Sequence, residues 1–148
     1  MRVFLVVIDE TGEARSALRF ATRRAAAVDG GVHILALVPQ QNISAFGGVQ
    51  DTIEQEARDR AEVLAHGAAG SLLAEGGIMP SISVVVGGGQ KVIREFIEEH
   101  DEVAALVLGA AYGGSPGPLV THFSANAGTL PCPLYIIPEN YDETADKS

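Results

Sequence analysis

Three mainly apolar runs, at residues 3–8, 32–38 and 103–108, dominate the hydrophobic pattern of the chain, and only His33 interrupts them. Runs of this length that are rich in branched side chains are typical of parallel strands covered on both faces. Residues 80–86 instead alternate serine with isoleucine and valine, which predicts a less completely covered edge strand. The short apolar segment 134–137 predicts a fifth strand.

Helical periodicity fills the intervals between these strands. The first helix has a candidate N-cap at Thr11 and a stop at Gly30. A long second helix ends at Gly76, a third follows the glycine turn 87–89, and a fourth covers about residues 119–130. The apolar positions predicted to face the core are Ala14, Leu18, Ala21, Ala25 and Val28 in the first helix, Ile53, Ala57, Ala61, Leu64, Ala68 and Leu72 in the second, and Val92, Ile93, Phe96 and Ile97 in the third.

A strand followed by a helix, repeated four times and closed by a last strand, predicts an α/β fold. It is an open, doubly wound parallel sheet with helices on both faces. Ligands of such sheets bind beyond the carboxyl ends of the strands, where the strand order reverses. If the first strand is central, Asp9 and Gly109 lie side by side at that edge. The polar, glycine-containing residues 40–49 predict a loop that either folds over a ligand or lies loose.

Composition excludes several classes of function. At 148 residues we expect one domain, and the net charge of −9 argues against binding nucleic acid through its phosphates. Cys132 is the only cysteine, so an intramolecular disulfide and a cysteine-based zinc cluster are excluded. No membrane span or signal peptide is visible, which favours a cytoplasmic protein. Arginines 15, 19, 23 and 24 form one basic cluster, either a solvated helix face or a partner-docking surface.

The loop after the fourth strand carries a hydrolase-like pattern that its own chemistry excludes. Residues 113–117 match the G-x-S-x-G of a nucleophile elbow in the required strand–loop–helix position. That elbow uses the backbone N–H of the residue after the serine, and Pro116 has none. His122 is the only histidine after Ser115, and no acidic residue lies between them. We therefore name no catalytic residue.

A glycine-rich turn and four histidines do not match known binding motifs. Residues 87–91, Gly-Gly-Gly-Gln-Lys, lack the Gly-Lys-Ser/Thr unit of a Walker loop, so a flexible turn explains them better. The histidines at 33, 66, 100 and 122 fall on different elements without an i, i+4 pair. Surface or helix-end histidines are therefore expected, and no metal site is predicted.

The glycine-rich segment 109–121 is the best candidate for binding a small ligand. It contains four glycines and two prolines, so its backbone sets the local chemistry. Its N–H groups and the positive end of the following helix can hold an anion. Thr121 and Ser124 could add hydroxyl groups, and His122 a partial positive charge. The alternative is a crossover that only lets the loop fold compactly, with Asp9 as an N-cap of the first helix.

Several segments carry a resemblance to a known family. They are Val-Val-Ile-Asp at 6–9 followed by Thr11 and Ser-Ala-Leu at 16–18, Val-Val-Val-Gly at 84–87, Leu-Val-Leu-Gly at 106–109, and Pro-Cys-Pro-Leu-Tyr-Ile-Ile at 131–137. With these, residues 2–138 resemble universal stress proteins of the UspA family. The resemblance implies a five-stranded parallel sheet of order 3-2-1-4-5, Rossmann-like and similar to the adenine nucleotide alpha hydrolase fold. The domain would cover residues 1–138, and we expect the acidic tail 139–148 to be disordered.

The resemblance also implies a nucleotide site. ATP-binding members carry a glycine, two residues, a second glycine, nine residues, and then Gly with Ser or Thr. Gly109 matches the first glycine and Gly113 lies one place after the second, whereas Val120 and Thr121 stand where the final pair is expected, two residues early. Asp9 matches the family's carboxylate near the nucleoside, and Val38 matches the residue that contacts the base. The candidates for nucleotide binding that the resemblance implies are Asp9, Thr11, Val38, Leu108, Gly109, Gly113, Val120, Thr121, His122 and Ser124.

The implied function is a stress-response or signalling protein that binds ATP, ADP or AMP, with Mg²⁺ if the ligand is a triphosphate. It would act on a signalling partner that the sequence does not identify. A homodimer is expected through the last strand, at Leu134, Tyr135, Ile136 and Ile137. The alternative is a dimeric interaction module of the same fold that binds no nucleotide, and a weak ATPase is a more distant one.

Overall fold

A computed structural model of the chain describes residues 1–8, 14–39, 47–111 and 113–141, with the backbone alone for residues 47–51. The elements are β1 (Val3–Ile8), α1 (Arg15–Ala27), β2 (Gly31–Val38), α2 (Gly47–Gly76), β3 (Ser81–Val86), α3 (Gly89–Glu99), β4 (Val103–Ala110), α4 (Pro118–Ala125), a 3₁₀ turn (Ala127–Thr129) and β5 (Leu134–Pro138).

The five strands form one parallel sheet in the order β3-β2-β1-β4-β5, which confirms the predicted fold. β1 is the central strand, paired with β2 on one side and with β4 on the other. Each connection between neighbouring parallel strands passes through a helix, because a parallel pair cannot be joined by a tight turn. The carboxyl ends of β1, β2 and β4 therefore meet at one edge of the sheet.

The two faces of the sheet carry separate hydrophobic layers. Alternate side chains of β1 point to opposite faces of the sheet. Phe4, Val6 and Ile8 pack with α1 and α2, whereas Leu5 and Val7 pack with α3 and α4. Successive side chains of a strand point to opposite faces, and here both faces are buried. Even α2, at 30 residues, is not apolar enough to cross a membrane, and no other helix in the described ranges is long and apolar enough either.

Three predicted boundaries are wrong by a few residues. α2 begins at Gly47, inside the predicted loop 40–49, whose first seven residues lie outside the described part of the chain. Glycine is acceptable at a helix start, where the N–H groups have no intrahelical partner. β4 runs on to Ala110, because Gly109 and Ala110 still pair with β5.

The third correction concerns the last helix, predicted as one segment over about 119–130. α4 ends at Ala125, and a separate 3₁₀ turn follows. Asn126 follows the last helical residue: its backbone N–H makes the last i→i−4 bond, to the carbonyl of His122 at 3.1 Å, and its side-chain amide donates to the same oxygen at 2.8 Å. An asparagine that satisfies a terminal carbonyl in this way is typical of helix ends.

A histidine–serine cluster lies toward the amino-terminal ends of β2 and β3, away from the edge described above. The Nδ1 of His33 is 2.6 Å from the hydroxyl of Ser81, and its Nε2 is 2.8 Å from the hydroxyl of Ser83. Burial lowers the pKa of His33, and the charge of nearby His100 lowers it further, while Glu102 acts in the opposite direction. The neutral ring donates one hydrogen bond and accepts another, so the cluster links two strands. In the described ranges, no group of three or more His, Cys, Asp or Glu residues could hold a metal ion.

Candidate functional site

The carboxyl edge of the sheet is formed by the last residues of three neighbouring strands. β1 ends at Ile8, β2 at Val38 and β4 at Ala110. The chain proceeds outward from β1 through β2 to β3 and then returns across the sheet to β4, so the strand order reverses between β1 and β4. In an open α/β sheet this reversal opens a crevice at the carboxyl ends, where ligands bind.

A cavity of about 450 Å³ adjoins this edge beneath α2. Val38 lines it and is only 1% exposed, so the end of β2 is part of the core. Ile8 and Pro39 contribute from the ends of β1 and β2, and α2 supplies small and apolar side chains, among them Ala61. The volume lies within the range of roughly 300–1,000 Å³ that is usual for small-molecule sites.

Arg60 is the only charged residue in the described lining of this cavity. It is exposed, and it places a guanidinium beside an otherwise apolar lining. In a chain of net charge −9, such a cation is the local feature that favours an anionic ligand. Arg60 is not predictable as a site residue from the sequence, because the helical pattern places it on the face of α2 opposite the core. Ala57, Ala61 and Leu64 were predicted only as core-facing positions.

The loop after β4 closes on itself. The backbone N–H of Ala111 donates to the carbonyl of Pro116 at 3.1 Å, so this donor is used within the loop. Three of the loop glycines adopt positive φ angles, +72° at Gly113, +54° at Gly114 and +111° at Gly117. With ψ at 156°, Gly117 lies in a backbone region that is essentially restricted to glycine. The compact shape of the loop therefore depends on glycine at this position.

The first turn of α4 offers two backbone donors. Pro118, the first helical residue, has no N–H, and the helix has no side-chain cap. Thr121 donates both its backbone N–H and its hydroxyl to the carbonyl of Gly117, at 3.1 and 2.9 Å. The N–H groups of Leu119 and Val120 stand at the positive end of the helix, where an anion is favoured.

The predicted hydroxyl donors are already engaged inside α4. Besides the bond from Thr121, the hydroxyl of Ser124 donates to the carbonyl of Thr121 at 3.3 Å. Both hydroxyl groups would have to rotate to donate to a ligand. His122 is partly exposed on the same helix, with its ring edge-on to Phe123 at a centroid distance of 4.9 Å.

Two predicted site residues, Val120 and Leu108, have side chains that are buried in the core. Val120 is 6% exposed and Leu108 is 2% exposed, and both belong to the layer beneath α3 and α4. The branched side chain of Val120 thus points into the protein and does not cover the start of α4. These residues, like Gly109 in β4, can present only backbone atoms at the edge. Asp9 and Thr11 lie outside the described residues.

Comparison with known proteins identifies the family and the fold. A model of the universal stress protein family matches residues 1–138. No curated protein matches the chain by sequence. Among solved structures, UspA of Lactobacillus plantarum shares 18% identity with a TM-score of 0.78, covering 92% of this chain and 97% of its own.

Several similar structures contain a nucleotide, and two of them illustrate the ligand class. A universal stress protein of Archaeoglobus fulgidus in complex with dAMP shares 19% identity with a TM-score of 0.60, over 93% of this chain and 97% of its own. A universal stress protein family protein of Arabidopsis thaliana with AMP bound shares 16% identity with a TM-score of 0.57, over 99% and 97%. At these identities the similarity establishes the common fold.

Replacing Gly117 tests the loop geometry. We expect Gly117→Ala to lower the free energy of unfolding by about 1–3 kcal/mol, because alanine is strained at a φ of +111°. Gly128→Ala is the matched control: an added Cβ there meets no atom within 4 Å. Urea denaturation of both variants measures the difference. Equal stability of the two would show that the loop does not require this backbone conformation.

Proposed function

The chain belongs to the universal stress protein family, and on this premise we propose that it binds an adenine nucleotide at the carboxyl edge of the sheet. The base would lie in the cavity lined by Val38, and the phosphate would meet the backbone at the start of α4. Bound nucleotide would report the state of the cell to a signalling partner. We name no catalytic step, because the described lining of the cavity contains no carboxylate, imidazole or hydroxyl side chain.

The cavity at Val38 is the observation that carries this proposal. It lies where the fold places ligands, its lining is apolar apart from Arg60, and Val38 is the residue that the family resemblance assigns to the base. An apolar wall of this kind suits the face of a purine, and burial of that face contributes most of the affinity. The dAMP and AMP complexes of the two related proteins support the same ligand class.

The donors at the start of α4 favour a nucleotide with one phosphate over a triphosphate. Ala111 donates its N–H within the loop, Pro116 and Pro118 have none, and the hydroxyl groups of Thr121 and Ser124 bond inside α4. The two N–H groups of Leu119 and Val120 can hold the oxygens of one phosphate. We therefore expect AMP to bind more tightly than ATP, with little benefit from Mg²⁺.

Thermal melting with AMP, ADP, ATP and adenosine, with and without Mg²⁺, tests the nucleotide site. At 100 times its Kd a ligand stabilises the folded chain by about 2.7 kcal/mol, or roughly 5–10 °C for a domain of this size. Ala61→Met fills the cavity from α2 and should abolish the shift with AMP. His66→Met, at an exposed position of the same helix, should keep it.

The absence of any shift, together with no nucleotide released when the purified protein is denatured, would contradict nucleotide binding. That result would favour a second candidate function, a dimeric interaction module without nucleotide. The hydrogen bond that closes the loop from Ala111 to Pro116 is the observation in favour of this alternative, since it removes a donor from the ligand's reach.

We also propose that two copies associate through β5. This strand is one edge of the sheet, and Ile136 is an apolar side chain that remains 38% exposed there. An unpaired strand edge with exposed apolar residues is a surface that readily pairs with a second copy. The candidate contacts are Leu134, Tyr135, Ile136 and Ile137.

Light scattering at micromolar concentration tests this association. We expect a dimer for the natural chain and a monomer for Ile136→Lys, because the lysine would bury a charge at the contact. Met79→Lys is the control, since Met79 is exposed just before β3, the strand at the opposite edge of the sheet. A natural chain that is monomeric, or an Ile136→Lys variant that remains dimeric, would rule out β5 as the interface.

A further inference from the structure

A second cavity, of about 470 Å³, lies between α1 and α2. Its floor includes Ile8, Leu18 and Leu72, all of them core residues. It touches the cavity at Val38, because Ile8 and Leu64 border both, but it continues toward the carboxyl end of α2. We call this second cavity the α1–α2 groove. The proposed nucleotide site makes no use of it.

The shape of the groove is long and narrow. α2 contributes residues from Val63 to Glu75 at helical spacing, a rise of about 18 Å along the helix axis. α1 contributes one face of its first turns, from Ala14 to Arg19. A groove that follows a seam between two helices fits an extended chain better than a compact ring system.

The lining of the groove is mostly apolar. At its border on α2, Val63 is 74% exposed and Leu64 is 43% exposed. Apolar side chains that meet water beside an apolar cavity are stabilised when a ligand covers them. A ligand with an alkyl body would therefore gain affinity along the whole length of the groove.

Gly67 keeps the middle of the groove open. A Cβ added at this position would meet no atom within 4 Å, so packing against the described residues does not require glycine here. In a helix interior glycine is also less favourable than alanine, since it loses more backbone entropy on folding. Gly70, in the same helix, has equally open surroundings but does not line the groove, which makes it a matched control.

The groove carries two arginines from α1. Arg19 lies 3.5 Å from the carboxylate of Glu75, a pair that is half exposed on both sides. Arg15 also lines the groove, is exposed, and makes no ion pair with any residue of the described ranges. A guanidinium matches a carboxylate group with two parallel hydrogen bonds. An apolar groove with an available guanidinium at its border is complementary to an amphipathic anion.

We propose that the α1–α2 groove binds a straight-chain carboxylic acid. The alkyl chain lies along α2 past Gly67, and the carboxylate pairs with Arg15. The chain length sets the affinity through the apolar surface buried, and the arginine sets the orientation. This site is distinct from the proposed nucleotide site, although Ile8 and Leu64 border both cavities.

Calorimetric titration with decanoate, below its micelle concentration, tests the proposal. Octanoate should bind roughly 15-fold more weakly than decanoate, because two fewer CH₂ groups are buried. Gly67→Met places a side chain in the groove and should weaken decanoate binding at least tenfold, whereas Gly70→Met should stay within twofold of the natural chain. Ser71→Met, at a second position of the lining, should reproduce the Gly67→Met result if that variant folds poorly.

The charged end is tested with a second pair of variants. Arg15→Gln should weaken the binding of decanoate about tenfold and leave the binding of 1-decanol unchanged. Lys91→Gln removes a positive charge from α3 and should change the affinity for neither ligand. Ala61→Met, which fills only the cavity at Val38, should leave decanoate binding intact, so a failure of the nucleotide site is distinguishable. Three results would each overturn the proposal. The natural chain does not bind decanoate, Gly67→Met binds it as tightly as the natural chain, or Arg15→Gln binds it as tightly as the natural chain.

Discussion

The burial of β1 on both faces is the constraint on which the rest of the structure depends. Every residue from Phe4 to Ile8 is at most 6% exposed, and alternate side chains serve opposite layers. A strand covered in this way must be flanked by strands on both sides and by helices above and below, because any uncovered apolar face would meet water. The parallel pairing of β1 with β2 and β4 then brings their carboxyl ends to one edge. The position of the candidate site is a consequence of this packing.

Much of the fold could be predicted because burial on two faces leaves an unambiguous signal. The apolar runs that contain Leu5, Leu35 and Leu106 match β1, β2 and β4, where these residues are completely buried. The boundaries were less predictable, since they depend on contacts distant in sequence. Gly109 and Ala110 extend β4 because β5 lies beside them, and at the end of α4 Asn126 makes a side-chain hydrogen bond that the apolar pattern does not encode.

The candidate site was predictable at its strand ends and less so elsewhere. Val38 could be assigned through the family resemblance, and in the structure it lines the cavity at the carboxyl edge. Arg60 and Gly67 could not be assigned, because their roles depend on how α2 lies against the sheet and against α1. The hydroxyl of Thr121 was predicted to face a ligand, yet it donates to the carbonyl of Gly117. Side-chain hydrogen bonds within one helical turn compete with ligand contacts.

We propose that the carboxyl edge of the sheet binds the nucleotide. Titration of the isotope-labelled chain with AMP, followed by amide chemical shifts, tests it most directly. We expect the amides of Val38, Ala110 and Val120 to shift with one common Kd, while those of His33 and Ser81 at the opposite end stay fixed. Shifts confined to the opposite end, or saturating AMP without any shift at the carboxyl edge, would contradict the claim.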